Sequence, residues 1–318
     1  MPNDEAASPV EALSAHFACP GCRSPLARTS PTSVRCPQDG MEFQRVDGIW
    51  GLLAPERKPH FDRFIREYEA IRRAEGRGSQ TDNYYRALPF EDRSGRFAGD
   101  WRIRAISFRA FLREVLEPFE GRRNAPLKVL DLGAGNGWLS YRLAQREHAV
   151  AAVDLGVNRE DGLGAHVHYD AGFLPVQAEY DRVPFVDGLF DLAIFNASFH
   201  YSPDYRTTLA EAARVLAPEG QLVILDTPVY HDPRSGEEMI RERQAQFLRA
   251  YGFPSDALPS ENYLTYGRLE ELGSGLGIRW RLSRPFYGAR WAIRPWLARL
   301  RRRREPAAFL VIVGGGAV

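Results

Sequence analysis

The sequence predicts an α/β fold in which a mostly parallel sheet carries helices on both faces. The run 129–138 indicates a short buried strand, then three glycines within five residues, then the start of a helix. The run 150–154 indicates a second apolar strand, which ends in an acid. The run 190–196 indicates another strand, and 213–224 indicates a helix, a turn and a further strand. Strands that alternate with helices in this way are typical of parallel sheets.

The loop between the first strand and its helix has the spacing Gly-x-Gly-x-Gly, at Gly133, Gly135 and Gly137. Glycine is needed where the backbone turns sharply or lies against a ligand without a Cβ between them. The spacing differs from the Gly-x-Gly-x-x-Gly of dinucleotide-binding folds, and the Gly-Lys-Ser/Thr ending of a P-loop is absent from it. The loop therefore predicts a nucleotide-binding site of another kind.

The residues 131–137, Asp-Leu-Gly-Ala-Gly-Asn-Gly, resemble motif I of the class I S-adenosylmethionine-dependent methyltransferases. Later stretches resemble further elements of this family in the same order, namely 150–154, 176–185, 190–196 and 213–224. The resemblance implies a Rossmann-like sheet of seven strands and methyl transfer from S-adenosylmethionine. Within the family, the likeness is closest to the group that contains the quinone-biosynthesis methyltransferases. That group acts mostly on small molecules, so we expect a small-molecule or lipid-like acceptor.

The resemblance also implies which residues bind the cofactor. Asp131 is expected to receive the ammonium group of its amino-acid portion, and Asp154 to hold the ribose hydroxyls as the acid of a dinucleotide fold does. Glu179 stands where the family more often has aspartate, and is expected to meet the adenine amino group. The full predicted set is Asp131, Gly133, Ala134, Gly135, Gly137, Asp154, Glu179, Tyr180 and Asn196.

His200 is the candidate for a catalytic base or for a hydrogen bond to the substrate. It lies in the stretch 196–201, which follows the fourth strand, where such folds place substrate-facing residues. An unperturbed imidazole titrates near neutrality, as a general base should. The stretch differs from the Asn/Asp-Pro-Pro-aromatic motif of amino-group DNA and protein methylases. A histidine that only forms the wall of the cleft is the alternative.

All three cysteines of the chain lie near its N-terminus. Cys19 and Cys22 form a Cys-Pro-x-Cys knuckle, and Cys36 starts a second knuckle in which Asp39 takes the place of a fourth cysteine. Three thiolates and one carboxylate could hold a zinc ion, with His16 as a substitute ligand. The alternative is a degenerate ribbon that keeps its fold without metal.

The chain divides into three predicted segments. Residues 1–58 form a zinc-ribbon-like module, which resembles the ribbons ahead of some ribosomal-RNA guanine methyltransferases and the activator subunit of tRNA and protein methyltransferases. Residues 59–125 form a helical lead-in, and residues 126–318 form the methyltransferase core, with the insertion 229–275 as a lid. The expected substrate-pocket residues are Tyr84 and Tyr85 from the lead-in and Tyr230 and His231 from the lid. For the lead-in tyrosines, the alternative is packing of a helix onto the core.

The formal net charge of +1 gives no sign of the broad basic face that a nucleic-acid enzyme needs. The run 286–304 nevertheless interleaves tryptophan with arginine, which suits nucleic acid or an anionic membrane surface. A solvated helix packed through its tryptophans is the alternative. An RNA base methyltransferase that uses the N-terminal ribbon and the segment 290–304 is therefore the alternative function. A non-catalytic cofactor-binding scaffold is the second.

The first fifteen residues lack the basic and then apolar pattern of a signal segment. Apolar runs, such as 309–313, are too short to cross a bilayer. We therefore expect a cytoplasmic protein without a transmembrane segment. The sequence does not indicate the accepting atom or the oligomeric state.

Overall fold

The computed structural model describes residues 9–123 and 125–316. Residues 1–8 of the predicted ribbon, residue 124 of the lead-in and residues 317–318 of the core lie outside the described residues. The described strands are β1 (Ala27–Ser30), β2 (Ser33–Arg35), β3 (Glu42–Val46), β4 (Ile49–Gly51), β5 (Lys128–Leu132), β6 (Ala149–Asp154), β7 (Leu174–Gln177), β8 (Phe190–Asn196), β9 (Leu216–Leu225), β10 (Val229–Tyr230), β11 (Leu264–Thr265), β12 (Ile278–Ser283) and β13 (Val311–Gly316). The described helices are α1 (Pro9–Leu13), α2 (Lys58–Glu75), α3 (Asp82–Ala87), α4 (Ala98–Phe111), α5 (Glu117–Arg123), α6 (Trp138–Ala144), α7 (Tyr205–Val215), α8 (Pro233–Tyr251), α9 (Tyr266–Leu276), α10 (Ala289–Ala292) and α11 (Arg294–Leu300).

One large sheet has the strand order β1-β2-β3-β4-β7-β6-β5-β8-β9-β13-β12. From β4 to β9 each neighbouring pair is parallel, whereas β13 is antiparallel to both β9 and β12. The predicted mostly parallel sheet is therefore confirmed. The order β7-β6-β5-β8-β9 reverses direction at β5, and the carboxyl ends of β5 and its neighbours meet there at one edge, where α/β folds bind ligands.

The central strands are buried on both faces, because helices cover both. Alternate residues of β5 point to opposite sides, so that Leu130 and Leu132 enter one hydrophobic core and Val129 enters the other. The first core also receives apolar side chains of α7 and α9, and the second receives those of α4 and α6. Strands that are covered on both faces are expected to be apolar throughout, as β5, β6 and β8 nearly are.

The core contributes seven strands to this sheet, β5 to β9, β12 and β13, and the N-terminal strands β1 to β4 extend the same sheet to eleven. Strand β4 pairs parallel with β7, with Trp50 opposite Val176. Trp50 is fully buried, and its ring lies 5.4 Å from that of Phe17, which in turn lies 5.3 Å from Phe185 of the core. A sheet edge leaves backbone donors and acceptors unpaired. Strand β4 of the N-terminal module pairs with the backbone donors and acceptors at the edge of β7.

Candidate active site

A cavity lies at the carboxyl edge of β5, β6 and β8, and we call it the strand-edge cavity. One wall comes from the loops that follow the three strands, and the opposite wall comes from α2. The residues that line it include Phe64, Tyr68, Glu69, Gly133, Gly135, Asp154, Asn158, Asp161, Tyr180, Ser198 and Tyr201.

The glycine loop has the geometry that its spacing predicts. Gly133 has φ +75°, and a Cβ there would lie 2.3 Å from Cβ of Ser198. Gly137 has φ +78°, and a Cβ there would lie 2.5 Å from the ring of Phe173. Both positions combine a left-handed backbone with a close neighbour, so only glycine fits them without strain. The loop can therefore lie flat between β5 and the cavity.

Asp154 ends β6 and lines the strand-edge cavity. Its Oδ2 accepts a hydrogen bond from the amide of Gly135 at 2.8 Å, and its Oδ1 accepts one from the amide of Gly156 at 2.7 Å. Burial raises the pKa of this carboxyl, although the two amide bonds oppose that effect. A carboxylate has about four lone-pair positions, so acceptor capacity remains for a ligand hydroxyl.

Asp131 lies beneath the loop, and only 1% of its surface is exposed. Its Oδ2 accepts a hydrogen bond from the hydroxyl of Ser140 at 2.7 Å, while its buried Oδ1 has no partner within the described part of the chain. Burial is the main cause that raises the pKa of this carboxyl to about 7. An orphaned buried oxygen of this kind is a position that a donor can satisfy.

Glu179 does not meet the strand-edge cavity as expected. Its carboxylate forms a bidentate ion pair with Arg57, with Nε 2.9 Å from Oε1 and Nη2 2.7 Å from Oε2. The next residue, Tyr180, does line the cavity, and its ring lies close to Gly133. The predicted adenine-facing acid is thus engaged by a cation that lies 122 residues earlier in the chain.

The remaining predicted cofactor residues, Ala134 and Asn196, form backbone contacts that fix the loops around the cavity. The amide of Ala134 donates to the carbonyl of Val153 at 3.1 Å, which ties the glycine loop to β6. Asn196 is the half-buried last residue of β8, and lies opposite Leu225 of β9. The loop 197–201 that follows it forms part of the cavity wall.

The sequence predicts α2 as a helix, and the structure places this helix as one wall of the cavity. Its Glu69 accepts a hydrogen bond from the side-chain amide of Asn158 at 3.1 Å. One turn further on, Arg72 forms an ion pair with Asp161. Both contacts join α2 to the loop after β6, and therefore close the cavity. The apolar spacing of 61–71 indicates a helix but gives no sign of the two side-chain contacts that hold it in place.

His200 lies in a short 3₁₀ turn (Phe199–Tyr201) after β8. Its Nδ1 is buried and has no hydrogen-bond partner among the described residues. Burial first, and then the positive charges of Arg243 and Arg104, lower the pKa of this imidazole to about 3. The expectation of titration near neutrality is therefore wrong, and His200 is neutral at pH 7.

The predicted substrate tyrosines of the lead-in are structural. Tyr85 is buried, accepts a hydrogen bond from the amide of Ser79 at 3.0 Å and donates one to the carbonyl of Glu160 at 2.6 Å. Its ring stacks on His168 at 4.5 Å, and the ring of Tyr84 meets it edge-on. The predicted contact with a substrate needs correction, because these rings pack the lead-in onto the core.

The predicted lid residues Tyr230 and His231 are also engaged elsewhere. Tyr230 is buried in β10, and its ring meets that of Tyr263 edge-on at 5.7 Å. The ring of His231 stacks on Tyr266 at 4.4 Å. Both residues hold the base of α8 against α9, and they lie outside the lining of the strand-edge cavity.

The four predicted metal ligands come together. The donor atoms of Cys19, Cys22, Cys36 and Asp39 all lie within 4.8 Å of one another. The two knuckles share one backbone pattern, because the amide of Arg23 donates to the carbonyl of Cys19 at 2.8 Å and that of Gly40 donates to Cys36 at 3.1 Å. Three thiols and a carboxylate at this spacing fit a tetrahedral zinc site. His16 is exposed and lies outside the cluster.

The arginine-rich run forms α10 and α11 on the surface. Trp291 packs against Tyr287 and Phe309, and the guanidinium of Arg294 lies 3.6 Å from its ring centre. Trp296, by contrast, is 66% exposed. The alternative interpretation, a helix packed through its tryptophans, therefore holds for Trp291 and fails for Trp296. No helix in the described ranges is both long and apolar enough to span a membrane.

The comparisons with known proteins address the segment that builds this cavity. Residues 130–224 match the family model described as a methyltransferase domain. These residues are a methyltransferase domain. The segment contains the glycine loop, Asp154 and the loop after β8, and it confirms the relationship that the motifs indicate. S-adenosylmethionine is the cofactor of methyltransferases of this family.

Individual relatives match the domain rather than their whole length. The chain is 33% identical over 131 residues to malonyl-[acyl-carrier protein] O-methyltransferase of Geobacter sulfurreducens, covering 39% of this chain and 48% of the relative. It is 30% identical over 137 residues to demethylmenaquinone methyltransferase of Thermus thermophilus, covering 40% and 54%. A solved structure of 1,6-didemethyltoxoflavin-N1-methyltransferase from Burkholderia thailandensis aligns with a TM-score of 0.46 at 16% identity, over 92% of this chain and 99% of that one. The chain spans about half the length of the curated relatives it matches.

Proposed function

We propose that the protein transfers a methyl group from S-adenosylmethionine to a small-molecule or lipid-like acceptor. The observation that carries the proposal is the position of the methyltransferase domain's glycine loop and Asp154 on one cavity. The bound cofactor supplies an electrophilic methyl group on a sulfonium. The residues of this chain bind and align the reactants, which is the main contribution of the protein in a direct displacement.

Each cofactor residue has a role that follows from its surroundings. Asp154 would accept hydrogen bonds from ribose hydroxyls, since its carboxylate is fixed by two amides and faces the cavity. The orphaned Oδ1 of Asp131 would accept a hydrogen bond from the ammonium end, directly or through water. Tyr180 would flank the adenine ring. Glu179 would serve this site indirectly, by anchoring α2 through Arg57.

A small acceptor is supported by the closure of the site. The helix α2 covers the strand-edge cavity and is held by the pairs Arg72–Asp161 and Glu69–Asn158. A base within a folded RNA would need a wide basic approach, and the net charge of +1 supplies no excess. The names of the relatives, which act on malonyl-acyl-carrier protein and demethylmenaquinone, agree with an acceptor that is small or carried on a long arm.

We also propose that Cys19, Cys22, Cys36 and Asp39 hold one zinc ion. The proposal rests on the spacing of their donor atoms and on the repeated knuckle geometry. A closed site of four protein ligands is structural. It would stiffen the N-terminal module, whose strand β4 borders the core, and it would take no part in methyl transfer.

The test of the proposed function uses methyl-labelled S-adenosylmethionine and an extract from cells that lack this protein. After incubation with the purified protein, the extract is separated into RNA, protein, lipid and small-molecule fractions. Label in the lipid or small-molecule fraction supports the proposal. Label in RNA would overturn it in favour of a base methyltransferase. Tight binding of S-adenosylhomocysteine by calorimetry, without label in any fraction, would indicate a non-catalytic scaffold.

A further inference from the structure

The connection between β12 and β13 lies outside the lining of the strand-edge cavity, and we call its residues 284–304 the basic segment. It contains eight arginines and no acidic residue, whereas the whole chain has a net charge of only +1. Among the described residues, Arg304 is the one arginine of the segment with an ion pair, to Glu242 of α8. The other acids that border the segment are Glu238, in the same cleft, and Glu305, the next residue of the chain. The basic segment therefore keeps a large excess of positive charge.

The basic segment also exposes large apolar side chains. Phe286 is 74% exposed, Leu300 67% and Trp296 66%, the three highest values for large apolar side chains among the described residues. Ile293 is exposed as well. Ile293, Trp296 and Leu300 follow one another at intervals of three and four residues, so they share one side of α11 and its N-cap. A cluster of exposed apolar side chains marks an interaction surface.

The other side of the basic segment is fixed to the core. Trp291 packs against Tyr287 and Phe309. Tyr287 is buried, and its hydroxyl lies 2.9 Å from that of Ser107 on α4. Because Trp291 and Tyr287 are held in this way, the exposed side chains cannot turn inward without breaking these contacts. The apolar cluster is therefore a fixed feature of the surface.

The basic segment leaves the sheet at the edge that carries the strand-edge cavity. Leu225 ends β9 and lies opposite Asn196, which ends β8. Val311 of β13 pairs with Leu225, and Ser283 of β12 pairs with Val311. The connection 284–310 therefore begins and ends in the row of residues that terminates the parallel strands. The basic segment and the cavity lie at the same edge of the sheet.

The chemistry of this surface distinguishes three kinds of partner. Nucleic acid would pair with the arginines and stack on Trp296, but it offers no matching surface to the aliphatic Ile293 and Leu300. A second copy of the chain would set arginine against arginine. The headgroups of an anionic bilayer attract arginine, and the boundary between headgroups and acyl chains accepts tryptophan, phenylalanine and leucine. A bilayer surface alone matches both the charges and the apolar cluster.

We propose that the basic segment docks the protein on the surface of a bilayer that contains anionic lipids. Its arginines, among them Arg301 and Arg303, contact headgroup phosphates, while Trp296 and Leu300 enter the boundary with the acyl chains. Docking brings the edge of the sheet that carries the strand-edge cavity close to the bilayer. The inference goes beyond the proposed function, because docking needs neither the cofactor nor a methyl acceptor.

The experiment measures binding of the purified full chain to vesicles by co-sedimentation. Vesicles of phosphatidylcholine with phosphatidylglycerol present an anionic surface, and vesicles of phosphatidylcholine alone are the neutral comparison. We expect binding to the anionic vesicles to weaken as salt concentration rises and to be at least about tenfold tighter than to the neutral ones. Equal binding to both, or binding to neither, overturns the inference. Binding to an RNA duplex in place of vesicles, or self-association through the same residues, also overturns it.

A first pair of variants tests the charge. Arg301→Gln and Arg303→Gln, combined in one protein, should weaken binding to anionic vesicles at least about tenfold, because each basic residue adds to the attraction. The matched control combines Arg122→Gln at the end of α5 with Lys128→Gln at the start of β5. Both control residues are exposed and lie at the opposite edge of the sheet, so the net charge falls equally while binding should stay within about twofold.

A second pair of variants tests the apolar cluster. Trp296→Ser and Leu300→Ser, combined, should weaken vesicle binding at least about tenfold while its salt dependence remains, since the arginines are kept. Val46→Ser is the control, because Val46 is 63% exposed on β3, at the other end of the sheet, and its loss should leave binding unchanged. The thermal midpoint of each variant confirms that it is folded. Unchanged vesicle binding in both folded test variants would overturn the assignment to the basic segment.

Discussion

Arg57 and Glu179 join the start of α2 to the loop after β7 through two parallel hydrogen bonds of 2.9 and 2.7 Å. The carboxylate is 6% exposed and the guanidinium 27% exposed. The acid that the family resemblance assigned to the adenine therefore anchors the helix that covers the cavity. We propose that any contribution of Glu179 to cofactor binding passes through the position of α2.

The first prediction concerns this ion pair. Arg57→Ala should lower the free energy of unfolding by about 2–3 kcal/mol, because among the described residues it leaves the buried Glu179 carboxylate with Arg182 alone, 3.8 Å away. Urea denaturation measures the change. Arg93→Ala, which removes an exposed ion pair to Glu91, is the control and should cost less than about 1 kcal/mol. Equal effects of the two variants would show that the buried pair has no special role.

The second prediction concerns Asp154. Asp154→Ala should weaken S-adenosylhomocysteine binding at least about tenfold, since charge-assisted hydrogen bonds contribute roughly 1.5–3 kcal/mol. Calorimetry measures the Kd. The carboxylate also holds the amides of Gly135 and Gly156, so the thermal midpoint should be recorded for the same samples. A folded variant with unchanged affinity would remove Asp154 from the cofactor site.

The third prediction separates backbone strain from crowding in the glycine loop. Gly133→Ala introduces both a left-handed alanine and a Cβ 2.3 Å from Ser198. Gly95 has a similar φ of +69° and no atom within 4 Å of its would-be Cβ. Gly95→Ala should therefore cost about 1–2 kcal/mol of stability, the price of the backbone alone, and Gly133→Ala should cost clearly more. Similar costs would mean that Ser198 moves aside freely.

The fourth prediction concerns the dependence of stability on pH. The folded-state pKa of His200, about 3, lies below its unfolded value, so the unfolded chain binds the proton first and stability falls as pH drops from about 6.5 toward 3. The pKa of Asp131, about 7, lies above its unfolded value, so its contribution is full below about pH 4 and is lost as pH rises to 7. Unfolding free energies from urea curves at several pH values should show a shallower acid limb for His200→Gln. Asp131→Asn should reduce the loss of stability as pH rises from 4 to 7. An unaltered pH profile in either variant would contradict the assignment of the residue that it changes.

The fifth prediction concerns the metal. Elemental analysis should find about one zinc ion per chain, and Cys36→Ser should release it. Asp39→Ala should also release the ion, because the carboxylate is the fourth donor of the cluster. His16→Ala is the control and should retain zinc, since the exposed imidazole lies outside the cluster. Fully folded, metal-free protein would support the degenerate ribbon instead.

The sequence revealed those parts of the site that depend on short stretches of chain. A strand, three glycines and a helix are contiguous, so their spacing alone predicts the loop and its left-handed residues. Asp154 was found for the same reason, because it ends an apolar strand at a set distance from Gly133. The two knuckles likewise follow from local spacing, and their four donors converge as expected.

The parts that sequence reasoning missed depend on contacts between distant segments. Nothing local to Glu179 indicates that Arg57 will meet it, and nothing local to Tyr85 indicates that its hydroxyl will donate a hydrogen bond to the carbonyl of Glu160. The pKa of His200 depends first on its burial and then on Arg243 and Arg104, which come from two other helices. Surroundings of this kind appear only when the chain is folded, and they overrule the ordinary chemistry of a residue.

The continuous sheet from β1 to β12 has a further consequence for how the N-terminal module acts. Because the module and the core belong to one chain, the strand β4 meets β7 at a high effective concentration, and dilution does not separate them. A separate partner that paired with the same edge would dissociate with falling concentration. The edge of β7 therefore stays paired with β4 whatever the protein concentration. The helix α2, which follows the module directly, packs against the cavity each time the chain folds.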